Sequence, residues 1–139
     1  MVTIKESVLV ASTPERVWSA VVDFEARPQW SSRVKEAHVL DGAPLREGSR
    51  ILLVVGRDRF TATVVEIRPQ ERLALLVKGP GFRVNHVYEL RPSGDGTDVA
   101  LAGEYGGIIG RLAARFMGGS VRRDLVEELA AIRSSAEPE

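Results

Sequence analysis

The sequence contains no cysteine, only two histidines (His38 and His86) and no excess of either charge, with 19 basic against 19 acidic residues. The first absence excludes disulfides, thiolate nucleophiles and cysteine-ligated metal. The second excludes a multi-histidine metal centre, and no spacing of histidine with carboxylates marks a mixed one. No metal and no cofactor is expected. A formal net charge of zero argues against the broad basic surface that nucleic acid requires. No apolar run is longer than five residues, as in I-L-L-V-V from Ile51 to Val55, far below the ~20 that span a bilayer. The opening M-V-T-I-K-E-S has no signal-peptide apolar core. The expectation is a cytoplasmic monomer or homodimer with no integral membrane segment and no nucleic-acid partner.

What the chain does contain is patterned for a single α+β domain over residues 1–134, followed by a disordered tail at 135–139. Residues 2–10, V-T-I-K-E-S-V-L-V, alternate as a strand whose row Val2, Ile4, Val8 and Val10 is apolar except for Glu6. In S-T-P-E-R-V-W, Thr13 fits an N-cap and Pro14 the first helical position. Val17, Ala20 and Val21 then mark the buried face of a helix running to about Asp23. F-E-A-R-P-Q-W reads as a second short helical turn ending near Pro28. Six further strands are predicted at 33–40, 49–56, 59–68, 72–78, 82–91 and 97–105. Their short Gly-, Pro- and Asp-containing separators permit only antiparallel neighbours. Residues 107–134 read as one long helix with an apolar stripe through Ile109, Leu112, Phe116, Met117, Val121, Leu125, Leu129 and Ile132. Arg111, Arg115, Arg122, Arg123, Glu127 and Glu128 are assigned to its charged face, and Gly118-Gly119 to a kink.

A seven-stranded antiparallel sheet with one apolar face must be covered, and only the C-terminal helix is long enough to cover it. Space between the two is a candidate cavity. The chain resembles the START-like (SRPBCC) superfamily with the helix-grip fold, the polyketide cyclase/dehydrase and lipid transport type. The resemblance rests on A-S-T-P-E-R-V-W-S-A-V-V-D, R-P-Q-W, V-V-E-I-R-P-Q-E-R-L, V-Y-E-L-R-P-S-G-D-G-T-D-V and E-Y-G-G-I-I-G-R-L. It implies a ligand held between the concave face of the sheet and the helix. It does not specify which ligand, because the superfamily includes both carriers and cyclases.

Alternation in F-R-V-N-H-V-Y-E-L places Phe82, Val84, His86, Tyr88 and Leu90 on the inner face. In the next strand Val99, Leu101, Gly103 and Tyr105 share that parity. Leu112, Phe116 and Met117 are expected to form the opposite wall, with Trp30 as a lid or plug. His86 suits three roles: general acid/base near neutral pH, orientation of a ligand, or a core histidine with a structural partner. Tyr88 and Tyr105 suit an amphipathic ligand or ordinary core filling. Sixteen arginines against three lysines, interspersed with acids, read as a salt-bridged surface. G-G-I-I-G at 106–110 lacks the lysine and spacing of a phosphate loop.

The leading expectation is a non-catalytic binding or carrier protein for a small hydrophobic or amphipathic molecule, such as a lipid, polyketide or quinone-like ligand. The first alternative is a polyketide cyclase, aromatase or dehydratase using His86 and a tyrosine. The second is a protein-interaction module with a filled core.

Overall fold

A computed structural model describes residues 1–138. The chain runs β1 (Val2–Val10), α1 (Pro14–Val22), a single 3-10 turn (Phe24–Ala26), α2 (Arg27–Trp30), β2 (Val34–Val39), β3 (Arg50–Val55), β4 (Asp58–Arg68), β5 (Arg72–Gly79), β6 (Phe82–Ser93), β7 (Gly96–Gly106), α3 (Gly107–Phe116) and α4 (Gly118–Ala136). The Thr13 hydroxyl accepts from the Arg16 amide at 3.3 Å and opens α1, with Pro14 in the first turn. Val17, Ala20 and Val21 are its buried face.

Seven antiparallel strands form one sheet in the order β1-β7-β6-β5-β4-β3-β2. Strands β2 to β7 are a meander, and β1 closes onto β7 with Val2 opposite Tyr105 and Val10 opposite Thr97. Bulges between Val34 and Glu36 in β2, and between Val64 and Glu66 in β4, add twist where the sheet bends round the helix. The concave face and α4 share the main core, in which Leu125, Leu129 and Ile132 meet Ile4, Val10, Val99 and Leu101. The convex face carries only a small cluster of Ala74, Val87 and Ala102. Beside it Arg72 bridges Glu66 (2.6 Å) and Glu89 (3.3 Å). This is the helix-grip architecture.

Four expectations require correction. The C-terminal helix is two helices, broken at Met117 (φ −118°, ψ 24°), so the phase of the apolar stripe is reset there. α3 buries Gly110 and Ala114 and turns Leu112, Phe116 and Met117 outward, Phe116 being 82% exposed. Close approach of α3 to β6 explains the inversion, because small residues are what fit. A Cβ at Gly107, which has φ +77°, would lie 2.5 Å from the Gly81 carbonyl oxygen. The second short helix begins at Arg27 rather than ending near Pro28. The tail is structured through Ala136, which is buried. Glu137 accepts from the Ala11 amide at 2.8 Å, a bond that ties the helix end to the start of the fold. Of the expected tail, only Glu139 lies outside the described residues.

The inner row of β1 carries Glu6 because α4 offers it Arg122, 3.3 Å away. As a largely exposed ion pair it contributes little stability.

Candidate functional site

Between the concave sheet and the helices lies a cavity of about 250 Å³. Its walls are apolar: Leu53 and Val55 from β3, Phe60 and Ala62 from β4, Leu75 and Val77 from β5, and Val121 and Leu125 from α4. Phe82, Val84, His86 and Tyr88 of β6 line it, as do Leu101 and Tyr105 of β7. Strand alternation alone puts these six side chains on one face. Leu112, Phe116 and Met117 do not line it, since α3 faces them outward. Trp30 ends α2 at 44% exposure and does not line it either.

Two charged side chains escape a reading of the strands, and Glu128, expected on the charged face of the C-terminal helix, is buried instead. Among the described residues, Arg27 and Glu128 are the two charged side chains that are buried, at 2% and 6% exposure. The Arg27 Nε donates to Glu128 Oε2 at 3.2 Å. Its terminal nitrogens donate to the Ala20 and Val21 carbonyls, both at 2.8 Å. Those carbonyls belong to the last turn of α1, so the guanidinium satisfies helix-end acceptors and sits where the helix dipole favours positive charge. The same group stacks 4.7 Å from the Phe24 ring centroid, and Phe24 meets Tyr88 edge-on at 6.4 Å. The Tyr88 hydroxyl donates to Glu128 Oε2 at 2.7 Å. One carboxylate oxygen thus collects two charge-assisted bonds and joins α1, α2, α4 and β6.

Burial alone would push the Glu128 carboxyl up. The Arg27 guanidinium, the Tyr88 hydroxyl and Arg33 outweigh burial and hold Glu128 below the usual carboxylate range. Burial, reinforced by the Glu128 charge, drives the Tyr88 phenol well above its ordinary value. Its proton is therefore committed to Glu128 and unavailable for transfer.

His86 is half-buried and lines the cavity. Burial lowers its pKa, with Arg33 acting in the same direction against Glu128 and Asp124, so the ring is neutral at pH 7. The ring makes no hydrogen bond to the described residues. Across the ladder His86 faces Gly103. A Cβ at that glycine would lie 2.5 Å from Tyr105 Oη and 2.8 Å from its Cζ, so the Tyr105 ring folds back over Gly103. Burial pushes the Tyr105 phenol up to about 12. Gly103→Ala is expected to cost about 1–3 kcal/mol by displacing that ring. In a Tyr105→Ala background the same change should cost under about 0.5 kcal/mol. Urea unfolding of the four proteins measures both, and equal costs in the two backgrounds would refute the contact.

The lining residues Glu128, His86, Tyr105, Arg33 and Asp124 act on one another electrostatically and so form one polar region, and most of the remaining lining is apolar. Arg50, which starts β3, lies outside it and pairs with Asp41 at the surface (2.9 Å). Among the described residues, no helix is long and apolar enough to cross a membrane.

Solved structures share this fold at low sequence identity. A hypothetical protein from Helicobacter pylori superposes with a TM-score of 0.84 at 14% identity, over 98% of this chain and 88% of that one. A START superfamily protein from Mycobacterium smegmatis gives 0.73 at 23% identity, over 96% of each chain. The Zhui aromatase/cyclase from Streptomyces gives 0.79 at 15% identity, over 97% of this chain and 93% of that one. A comparison with curated proteins by sequence gives no match. The family model described as polyketide cyclase / dehydrase and lipid transport matches residues 1–137, and the chain belongs to that family.

Proposed function

We propose that the protein binds a small hydrophobic molecule carrying a polar group at one end, and performs no chemistry on it. The observation that carries this reading is the apolar-walled cavity of about 250 Å³ with its polar side chains gathered in one region. Ligand sites commonly have ~300–1,000 Å³, so this one suits a compact body. A ligand burying roughly 250 Å² of apolar surface gains about 6 kcal/mol at ~25 cal/mol per Å². Association costs of about 4 kcal/mol or more consume most of that gain. Polar anchoring therefore decides which ligand is held.

The test is a titration of the full chain with 2-naphthol, a short-chain fatty acid and a benzoquinone, read by chemical-shift perturbation. Shifts confined to β6, β7 and α4 residues support the reading. No shift with any of the three overturns it.

A cyclase or dehydratase is the second reading, favoured by one observation: His86 is a neutral imidazole, free of protein hydrogen bonds, on the cavity wall. In that case Tyr105, not Tyr88, supplies the hydroxyl, because Tyr88 is committed to Glu128. His86→Ala separates the two readings. Under the binding reading it changes the 2-naphthol Kd less than about tenfold, and the wild-type protein leaves a poly-β-keto thioester unchanged beyond its background rate. Turnover that His86→Ala abolishes while binding persists would replace the first reading with the second.

A further inference from the structure

Glu128 presents an asymmetry that the fold alone does not use. Its Oε2 takes both protein donors, Arg27 and Tyr88. Its Oε1 is buried without a hydrogen-bond partner, on a side chain only 7% exposed that lines the cavity. A buried ionised acceptor left without a donor costs more than a neutral one. The Tyr88 proton is already spent on Oε2, and no other described side chain of the polar region donates to Oε1. A donor for Oε1 has to come from whatever fills the cavity.

We infer that Glu128 Oε1 sets the specificity of the cavity, and that its ligand is a neutral hydroxyl compound of the phenol, enol or alcohol class whose O–H donates to this oxygen. The inference rests on the binding reading above and deepens it. A molecule of the same shape without the O–H displaces water from Oε1 and returns nothing, so it binds less tightly. A carboxylate ligand brings a second negative charge to Glu128 in a poorly solvated space and no proton to share. Arg33 makes the opposite demand: its Nε is also buried without a partner, and a guanidinium favours an anion. The two demands give opposite orders of affinity.

The experiment uses the full chain at pH 7 with 2-naphthol, 2-methoxynaphthalene and 2-naphthoate, measured by calorimetric titration. The expected order has 2-naphthol binding about tenfold or more tighter than 2-methoxynaphthalene, as for a hydrogen bond to a charged group, with 2-naphthoate weaker than 2-naphthol. Glu128→Gln keeps an oxygen for Arg27 and Tyr88 and turns an amide N–H into the cavity. It should abolish the preference for 2-naphthol while changing the 2-methoxynaphthalene affinity by less than about threefold. Thermal unfolding reports whether that variant is folded, and if it is not, the wild-type series decides alone. Equal affinity for 2-naphthol and 2-methoxynaphthalene overturns the role of Glu128 and leaves the binding reading standing. So does tightest binding of 2-naphthoate, which would assign specificity to Arg33. Failure of all three to bind overturns both.

Discussion

Arg27→Ala is expected to lower the unfolding free energy by about 3–5 kcal/mol, the loss typical of leaving a buried charge unpaired. For a chain of this size that corresponds to a fall in Tm of roughly 10–20 °C. The cause is concentrated in one side chain. Removing the guanidinium strands Glu128, uncaps the Ala20 and Val21 carbonyls and removes the cation from the Phe24 face. The pH dependence should also change sign. In the wild type Glu128 is held below its ordinary value of 4.5. Its contribution is therefore present above about pH 4.5 and is lost as pH falls through the depressed folded value. Without Arg27, burial dominates and raises the carboxyl, so the folded state retains a proton that the unfolded state releases. Stability then declines as pH rises above about 4.5. Urea midpoints between pH 4 and 8 for wild type, Arg27→Ala and Arg27→Ala/Glu128→Gln check this, and the double variant should lose the slope. A loss below about 1 kcal/mol for Arg27→Ala, with an unchanged slope, would show that the network bears little of the fold's stability.

Val84→Trp is expected to weaken 2-naphthol binding by about a hundredfold or more and to leave stability nearly unchanged. Val84 lines the cavity from β6, opposite Val77 on one side and Tyr105 on the other. An indole there has only the cavity to occupy. Filling ~80 Å³ of void is worth about 2 kcal/mol at ~24 cal/mol per Å³. Overpacking strain of about 1–3 kcal/mol offsets that gain. The ligand loses its space whichever of the two is larger. Calorimetric titration alongside thermal unfolding separates the effects. Undiminished binding in a stable variant would place the ligand outside the space between sheet and helix.

The strands and their facing were legible because period-two alternation in segments such as F-R-V-N-H-V-Y-E-L leaves few alternatives, and short separators compel antiparallel pairing. Phe82, Val84, His86, Tyr88, Leu101 and Tyr105 follow from that parity alone. The helical wall was less legible. A single stripe drawn through residues 109–132, even with a kink at Gly118-Gly119, keeps one phase across the break at Met117, after which the buried face is set by Leu125, Leu129 and Ile132. Glu128 carried a usable signal: it lies seven residues after Val121, three after Leu125 and four before Ile132, on the buried side of the helix. Its charge, shared with Glu127, hides that spacing. Arg27 carried none. Its burial depends on the open carbonyls of α1 and on a carboxylate a hundred residues further along, and neither is a local property. Fold periodicity finds walls, whereas buried ion pairs are found only by knowing what the walls enclose.

The edge position of β2 and the place of β1 beside β7 also govern how the protein is made. β1 is synthesised before the other six strands, yet its partner is the last of the seven, with Val2 opposite Tyr105. Non-local pairing of this kind slows folding, because loop closure precedes any gain from the contact. On the ribosome the meander β2 to β7 can form hairpin by hairpin as each strand emerges. Throughout that time the nine residues of β1 remain an unpaired, β-branched segment. Its Lys5 and Glu6 place charge in the middle of a stretch otherwise suited to pairing with other chains, the arrangement that keeps such strands from aggregating during synthesis.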